Sequence, residues 1–132
     1  MLLEIDHHSG VPIYRQVINQ IRQQIMTDRL KEADQLETVR DLASRLKVNP
    51  MTISKAYSLL EAEGLVKRKR GIGLFVAKVK KGQRGQIKDE LLNGIINKAA
   101  ITAIQLGISE DEAVESLKKH YREYNSKNRR KK

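Results

Sequence analysis

The chain contains no cysteine, which excludes a disulfide framework and any zinc site built on thiolates. No apolar run approaches the ~20 residues of a membrane-spanning helix. The opening residues, Met1 to His8, lack the basic start and long apolar stretch of a secretory signal. These absences point to a cytoplasmic protein. Acid is missing from one long stretch: from Gly64 to Lys88 there is no Asp or Glu, while Lys67, Arg68, Lys69, Arg70, Lys78, Lys80, Lys81, Arg84 and Lys88 are basic. Over the whole chain 26 Lys and Arg stand against 16 Asp and Glu, a formal net charge of +10. A charge of this size implies an anionic partner, for which nucleic acid and an anionic membrane surface are the usual candidates.

Apolar periodicity divides what is present. Tyr14, Val17, Ile18, Ile21 and Ile25 form a helical stripe that begins after Pro12, a residue suited to a first helical turn, and runs to about Thr27 or Arg29. A polar loop from Lys31 to Glu37 follows, with Leu36 as its one large apolar anchor. Thr38 reads as an N-cap with Asp41 at the third helical position, and Val39, Leu42, Ala43 and Leu46 make a short apolar face. Asn49 is the next N-cap, Pro50 takes the first helical position, and Ile53, Ala56, Tyr57 and Leu60 share one face before Gly64 stops the helix. The period then changes: Leu65 to Arg70 and Leu74 to Val79 read as strands joined by Gly71-Ile72-Gly73. After a linker around Lys81 to Gly85, a fourth helix carries Ile87, Leu91, Leu92, Ile95, Ile96, Ala99, Ala103 and Leu106, and Gly107 ends it. Ser109 and Glu112 form a capping box for a fifth helix bearing Ala113, Val114, Leu117, Tyr121 and Tyr124. Beyond Asn125 the charged, apolar-free composition predicts disorder.

Two short helices joined by Lys47, Val48 and Asn49 have the helix-turn-helix layout, in which the second helix enters the major groove of DNA. With Ile53, Ala56, Tyr57 and Leu60 turned inward, Met51, Ser54, Lys55 and Ser58 face outward. Pro50, Met51 and Thr52 lie at the tip, where free N–H groups and the helix dipole favour a phosphate. An ordinary helical hairpin within a core is the bland alternative. The hairpin after it shifts the balance, because the basic strand Lys67 to Arg70 leads into a glycine-flanked turn. Glycine allows close backbone approach, and arginine is favoured in a narrow minor groove. A solvated surface hairpin is the alternative there. Gly71-Ile72-Gly73 lacks the third glycine and following helix of a dinucleotide fingerprint.

Residues 12 to 77 resemble the DNA-binding domain of the GntR family of bacterial regulators. Thr38-Val39-Arg40-Asp41-Leu42-Ala43 is similar to that family's helix-two motif, and Val48-Asn49-Pro50-Met51-Thr52-Ile53-Ser54-Lys55-Ala56-Tyr57 to its recognition helix. Leu60 to Val66, Arg70-Gly71 to Gly73 and Phe75-Val76 resemble the remainder and the wing. The Asn-Pro-x-Thr-x-x-Lys-Ala-Tyr version and the short two-helix C-terminal part resemble the YtrA subfamily, whose members often control genes for ABC-type transporters. The resemblance implies DNA contacts from Thr38 and Arg40 at the start of helix two. It implies further contacts from Asn49, Pro50, Met51, Thr52, Ser54 and Lys55 in the recognition helix. Arg70, Gly71, Ile72 and Gly73 would then form a wing in the minor groove. The chain departs from the family in the loop before helix two. Glu32-Ala33 stands where Pro-Gly is usual, Glu37 where proline is, and Lys47 where glycine is. A positive φ at Ala33 or Lys47 would cost each about 1 kcal/mol.

The expected fold is mainly α with a small β-hairpin: an N-terminal winged helix-turn-helix followed by a two-helix C-terminal dimerisation region. Residues 1–11 are a lead-in, expected to be mobile, 12–79 the winged domain, 80–125 the dimerisation region and 126–132 a basic disordered tail. Two helices cannot alone enclose a pocket of the usual ~300 Å³ or more. Their apolar faces also exceed what one helix pair hides. The simplest solution is a symmetric homodimer through Leu91, Ile95, Ala99, Leu117 and Tyr121; folding back on the winged domain as a monomer is the alternative. No carboxylate pair or histidine cluster supports catalysis or metal binding, since His7 and His8 lie in the lead-in and His120 on a helix surface. No cofactor is expected. The expected partners are double-stranded operator DNA and a second copy of the chain, and the expected role is a repressor at an inverted repeat. A non-specific basic adaptor for RNA or DNA is the alternative function. A membrane role ranks low, because no amphipathic anchor or lipidation motif accompanies the charge.

Overall fold

A computed structural model describes residues 1–130; Lys131 and Lys132 lie outside the described residues. The elements run α1 (Ile13–Met26), α2 (Val39–Leu46), α3 (Pro50–Ala62), β1 (Val66–Lys69), β2 (Gly73–Val76), α4 (Lys81–Gln105) and α5 (Glu110–Arg130). The mainly helical class with one hairpin is as the periodicity predicts. The chain divides into two compact units, Met1–Leu91 and the residues from Leu92 on.

In the first unit the apolar stripes meet. Val17, Ile18, Ile21 and Ile25 of α1, Leu42 and Ala43 of α2, and Ile53, Ala56, Tyr57 and Leu60 of α3 are all buried together. The caps form where expected: the Thr38 hydroxyl accepts from the Asp41 N–H at 3.1 Å, and the Asn49 side chain accepts from the Met51 N–H at 2.9 Å. Pro12 is the N-cap of α1 rather than its first residue, and its carbonyl accepts from the Arg15 and Gln16 amides. Gly64, at φ +80°, ends α3, a conformation that costs glycine nothing. The Leu65 amide then bonds back to the Leu60 carbonyl at 3.1 Å, which turns the chain into the hairpin.

The strands are shorter than the apolar alternation implies. They pair antiparallel from Val66↔Val76 to Lys69↔Gly73, leaving Arg70, Gly71 and Ile72 as the loop. The segment before α2 flanks β2 on its other edge. The Ala33 N–H donates to the Val76 carbonyl, the Val76 N–H to the Asp34 carbonyl and the Leu36 N–H to the Leu74 carbonyl, at 2.8–2.9 Å. What reads as a polar loop is therefore a third, short rung of the sheet, with Leu36 buried beneath it.

Three expectations are corrected. The lead-in, expected to be mobile, packs on the first unit through its first five residues. Leu3 is buried, Met1 and Ile5 pack on the core, and glutamines of α1 pair with its backbone. Gln20 bonds the Glu4 amide and carbonyl, and Gln16 bonds those of Asp6. The linker at Lys81–Gly85 is the first turn of α4, which seats Ile87 in the core of the first unit. Finally, α5 continues through Arg130, so residues 126–130 are helical rather than disordered. Lysine and arginine are good helix formers, and their charge is favourable at a helix C-terminus.

In the second unit, Gly107 at φ +71° breaks the helix, and the Ser109 hydroxyl accepts from the Glu112 N–H at 3.2 Å to start α5. The two helices leave an apolar cleft of about 410 Å³, with Ala99, Ala100 and Ala103 of α4 facing Ala113, Val114 and Leu117 of α5.

Candidate nucleic-acid interface

With one face of α3 in the core, the opposite face is bare. Met51 is 77% exposed, and Ser54, Lys55 and Ser58 are exposed beside it; Thr52 is half-buried. Arg40, in the first turn of α2, is exposed and has no ion-pair partner among the described residues. A cation held at a surface without a partner is free to meet a phosphate or a base edge.

The tip of α3 differs from the expectation of free N–H groups. Pro50 has none, the Met51 N–H is taken by the Asn49 side chain, and the Thr52 N–H bonds the Asn49 carbonyl at 2.9 Å. The dipole still favours an anion, but the open donors there are side chains. Asn49 keeps its amide NH₂ and Thr38 its hydroxyl proton, since each uses only an oxygen for capping.

Two aromatic rings position cations on this surface. The Lys55 ammonium lies 4.0 Å from the centre of the Tyr14 ring, and the Lys69 ammonium 4.5 Å from that of Phe75. Such stacking orients a lysine without neutralising it. Arg68 is committed to Glu61 at 3.6 Å. Lys67 and Arg70 remain exposed and unpaired among the described residues.

At the wing, Gly71 has φ +77° and Gly73 φ +140°, and Ile72 between them is 64% exposed. Gly73 is favoured by its own backbone angle, and it also leaves room for a side chain. A Cβ there would stand 2.9 Å from Nε2 of Gln35, whose amide donates to the Ile72 carbonyl at 3.1 Å.

Both suspect φ angles occur. Ala33 is at +74° and Lys47 at +57°. Glu37, where the family pattern has proline, accepts from Arg45 at 2.6 Å, and this bond is the main cause that holds the Arg45 guanidinium pKa above its ordinary value. The buried Tyr57 hydroxyl donates to the Glu37 carbonyl at 2.8 Å.

A three-helix core, a helix-turn-helix with its second helix exposed, and a basic two-stranded wing agree with the comparisons to known proteins. The family model described as "Bacterial regulatory proteins, gntR family" matches residues 13–76. The HTH-type transcriptional repressor YtrA of Bacillus subtilis is 37% identical over 101 residues, covering 73% of this chain and 78% of that protein. The chain belongs to the GntR family. Among solved structures, a GntR family transcriptional regulator from Listeria monocytogenes has a TM-score of 0.69 at 30% identity, covering 87% of this chain and 98% of that one. YtrA from Sulfolobus acidocaldarius, a GntR-family transcription factor, has a TM-score of 0.54 at 33% identity, with 93% and 99% covered. The protein is a DNA-binding winged-helix transcription regulator of the YtrA type.

Within this GntR-family frame, sequence reasoning missed several residues. Gln35, Tyr14 as the platform for Lys55, and Arg22 carry no local signal. The Arg22 side chain is 12% exposed and joins Glu63 at 2.9 Å and Glu90 at 2.7 Å, tying α1, the end of α3 and α4. Of the expected dimerisation residues, Leu91 is half-buried against the core of the first unit. Ile95 at 65%, Leu117 at 55% and Tyr121 at 71% are exposed, as is Ala99 on the cleft.

Proposed function

We propose that the protein is a homodimeric repressor that reads an inverted-repeat operator in double-stranded DNA. The observation that carries this reading is the outer face of α3. Met51, Ser54, Lys55 and Ser58 are exposed on a core that closes without them, flanked by the unpaired cations Arg40 and Arg70. Side chains at the start of a recognition helix read base edges in the major groove, while flanking cations hold phosphates. The wing, with Arg70, Gly71 and Ile72 at its tip, reaches the adjacent minor groove.

Dimerisation follows from the second unit. Within it α4 has Lys98 as its one charged residue, yet Leu92, Ile95 and Ile104 are 58–77% exposed. A helix that is apolar nearly all round belongs inside a larger core, and a second copy supplies one. Two copies related by a two-fold axis read two half-sites in inverted orientation, roughly one helical turn apart. Repression is the activity named for the Bacillus subtilis relative.

Selection from a random pool of duplexes tests this reading; an inverted repeat is expected. Arg40→Ala and Met51→Ala should each weaken binding to the selected site by about 1–3 kcal/mol. A non-specific polycation would return no motif and would ignore Met51→Ala, and that result overturns the proposal.

A further inference from the structure

We propose that Gln35 is a positioning residue for DNA binding: it braces the tip of the wing against the segment that leads into α2. The inference rests on the reading of the wing as a DNA-contacting element.

The loop at the tip has little to hold it. Arg70, Gly71 and Ile72 lie beyond the last strand pair, Lys69↔Gly73, and their one bond within the hairpin runs from the Ile72 N–H to the Lys69 carbonyl at 3.0 Å. Glycine at position 71 adds freedom. Among the described residues, the single side chain that bonds this loop from outside the hairpin is Gln35, through its Nε2 and the Ile72 carbonyl at 3.1 Å.

Gln35 is itself held. Its backbone bridges to Phe75, and the bonds of Asp34 and Leu36 to β2 fix the residues on either side of it. Gly73 leaves the space it needs, since a Cβ there would meet Nε2 at 2.9 Å. Three residues further on, Thr38 caps α2 and Arg40 follows in its first turn. One amide thus links the wing tip to the segment that presents Arg40, so that two separate DNA-facing parts form one rigid surface. Binding is tighter when the contacting groups are ordered beforehand, because less freedom is lost on association.

The bond is exposed to water and its loss leaves the core intact. Gln35→Met keeps the length of the side chain and removes the donor without changing charge. Full-length Gln35→Met should melt like the parent, show raised nanosecond mobility of the Gly71 and Ile72 amides by ¹⁵N relaxation, and lose roughly 3- to 10-fold in affinity for the selected operator, the range of one neutral hydrogen bond. The decisive measurement is a double-mutant cycle with Arg70→Ala. If Gln35 acts through the wing, the loss caused by Gln35→Met shrinks to under about 2-fold once Arg70 is gone. Equal losses in both backgrounds, or unchanged affinity and amide order, overturn the inference alone. An Arg70→Ala variant that binds like the parent overturns the wing's contact with DNA and this inference with it.

Discussion

Lys47 joins α2 to α3 in a left-handed conformation, φ 57° and ψ 47°, with its own amide bonded to Ser44 and the Val48 amide bonded to Ala43 at 3.0 Å. A side chain with a Cβ pays about 1–2 kcal/mol there. Glycine avoids that strain but has a more flexible unfolded chain, which offsets about 0.4–1 kcal/mol. Lys47→Gly should therefore stabilise the winged domain by about 0.5–1 kcal/mol. At ~4–8 °C per kcal/mol for a domain of this size, the melting temperature rises by roughly 2–8 °C. Ala33, at φ 74° and exposed, makes the same case. The two sites lie in different loops and share no hydrogen bond, so their effects should add. Thermal unfolding followed by circular dichroism at one protein concentration measures both. Lys47→Ala is the control: it deletes the charge and the long side chain and keeps the strain, so it should not gain. A Lys47→Gly variant that melts no higher than Lys47→Ala refutes the reasoning, because the left-handed backbone would then store no strain.

Burial, followed by the neighbouring Glu37 carboxylate, pushes the Tyr57 hydroxyl above its ordinary pKa of 10.0. The folded state therefore keeps a proton that the unfolded state releases, and stability should fall as pH rises above about 10. Tyr57→Phe should remove that part of the alkaline loss and cost about 0.5–1.5 kcal/mol at neutral pH by orphaning the Glu37 carbonyl; melting curves at pH 7 and above pH 10 check both. Ile95→Glu would bury an unpaired carboxylate in the proposed dimer, so light scattering should report a monomer, and operator affinity should fall steeply as the avidity of two half-sites is lost. A mutant that stays dimeric places the interface elsewhere.

The helices of this protein are written locally. Thr38 with Asp41, Asn49 with Pro50, and Ser109 with Glu112 each satisfy amides within three residues, and Gly64 ends α3 by its own backbone freedom. The faces are equally local, because a 3.6-residue period places Ile53, Ala56, Tyr57 and Leu60 on one side whatever they pack against. The helix-turn-helix and its outward residues were legible for that reason. The lead-in was not. Leu3 and Ile5 form no periodic run, and their place in the core depends on α1 offering Gln16 and Gln20 to a strand-less backbone.

Chain order and periodicity determined the element types, the caps and the basic hairpin, and the resemblance to the GntR family marked the two departures at Ala33 and Lys47. Both of those residues do adopt the strained backbone that the missing glycines imply. The tertiary structure decided what joins across distance. It set Gln35 on the wing tip, Lys55 on the Tyr14 ring, and Arg22 between Glu63 and Glu90. It also laid Leu91 partly buried against the core of the first unit. The physical reason is range. Capping and periodicity act within a turn or two of the chain. A long-range hydrogen bond, ion pair or burial depends on where two distant segments come to lie, and a polar or apolar side chain carries no mark of which distant partner it will meet.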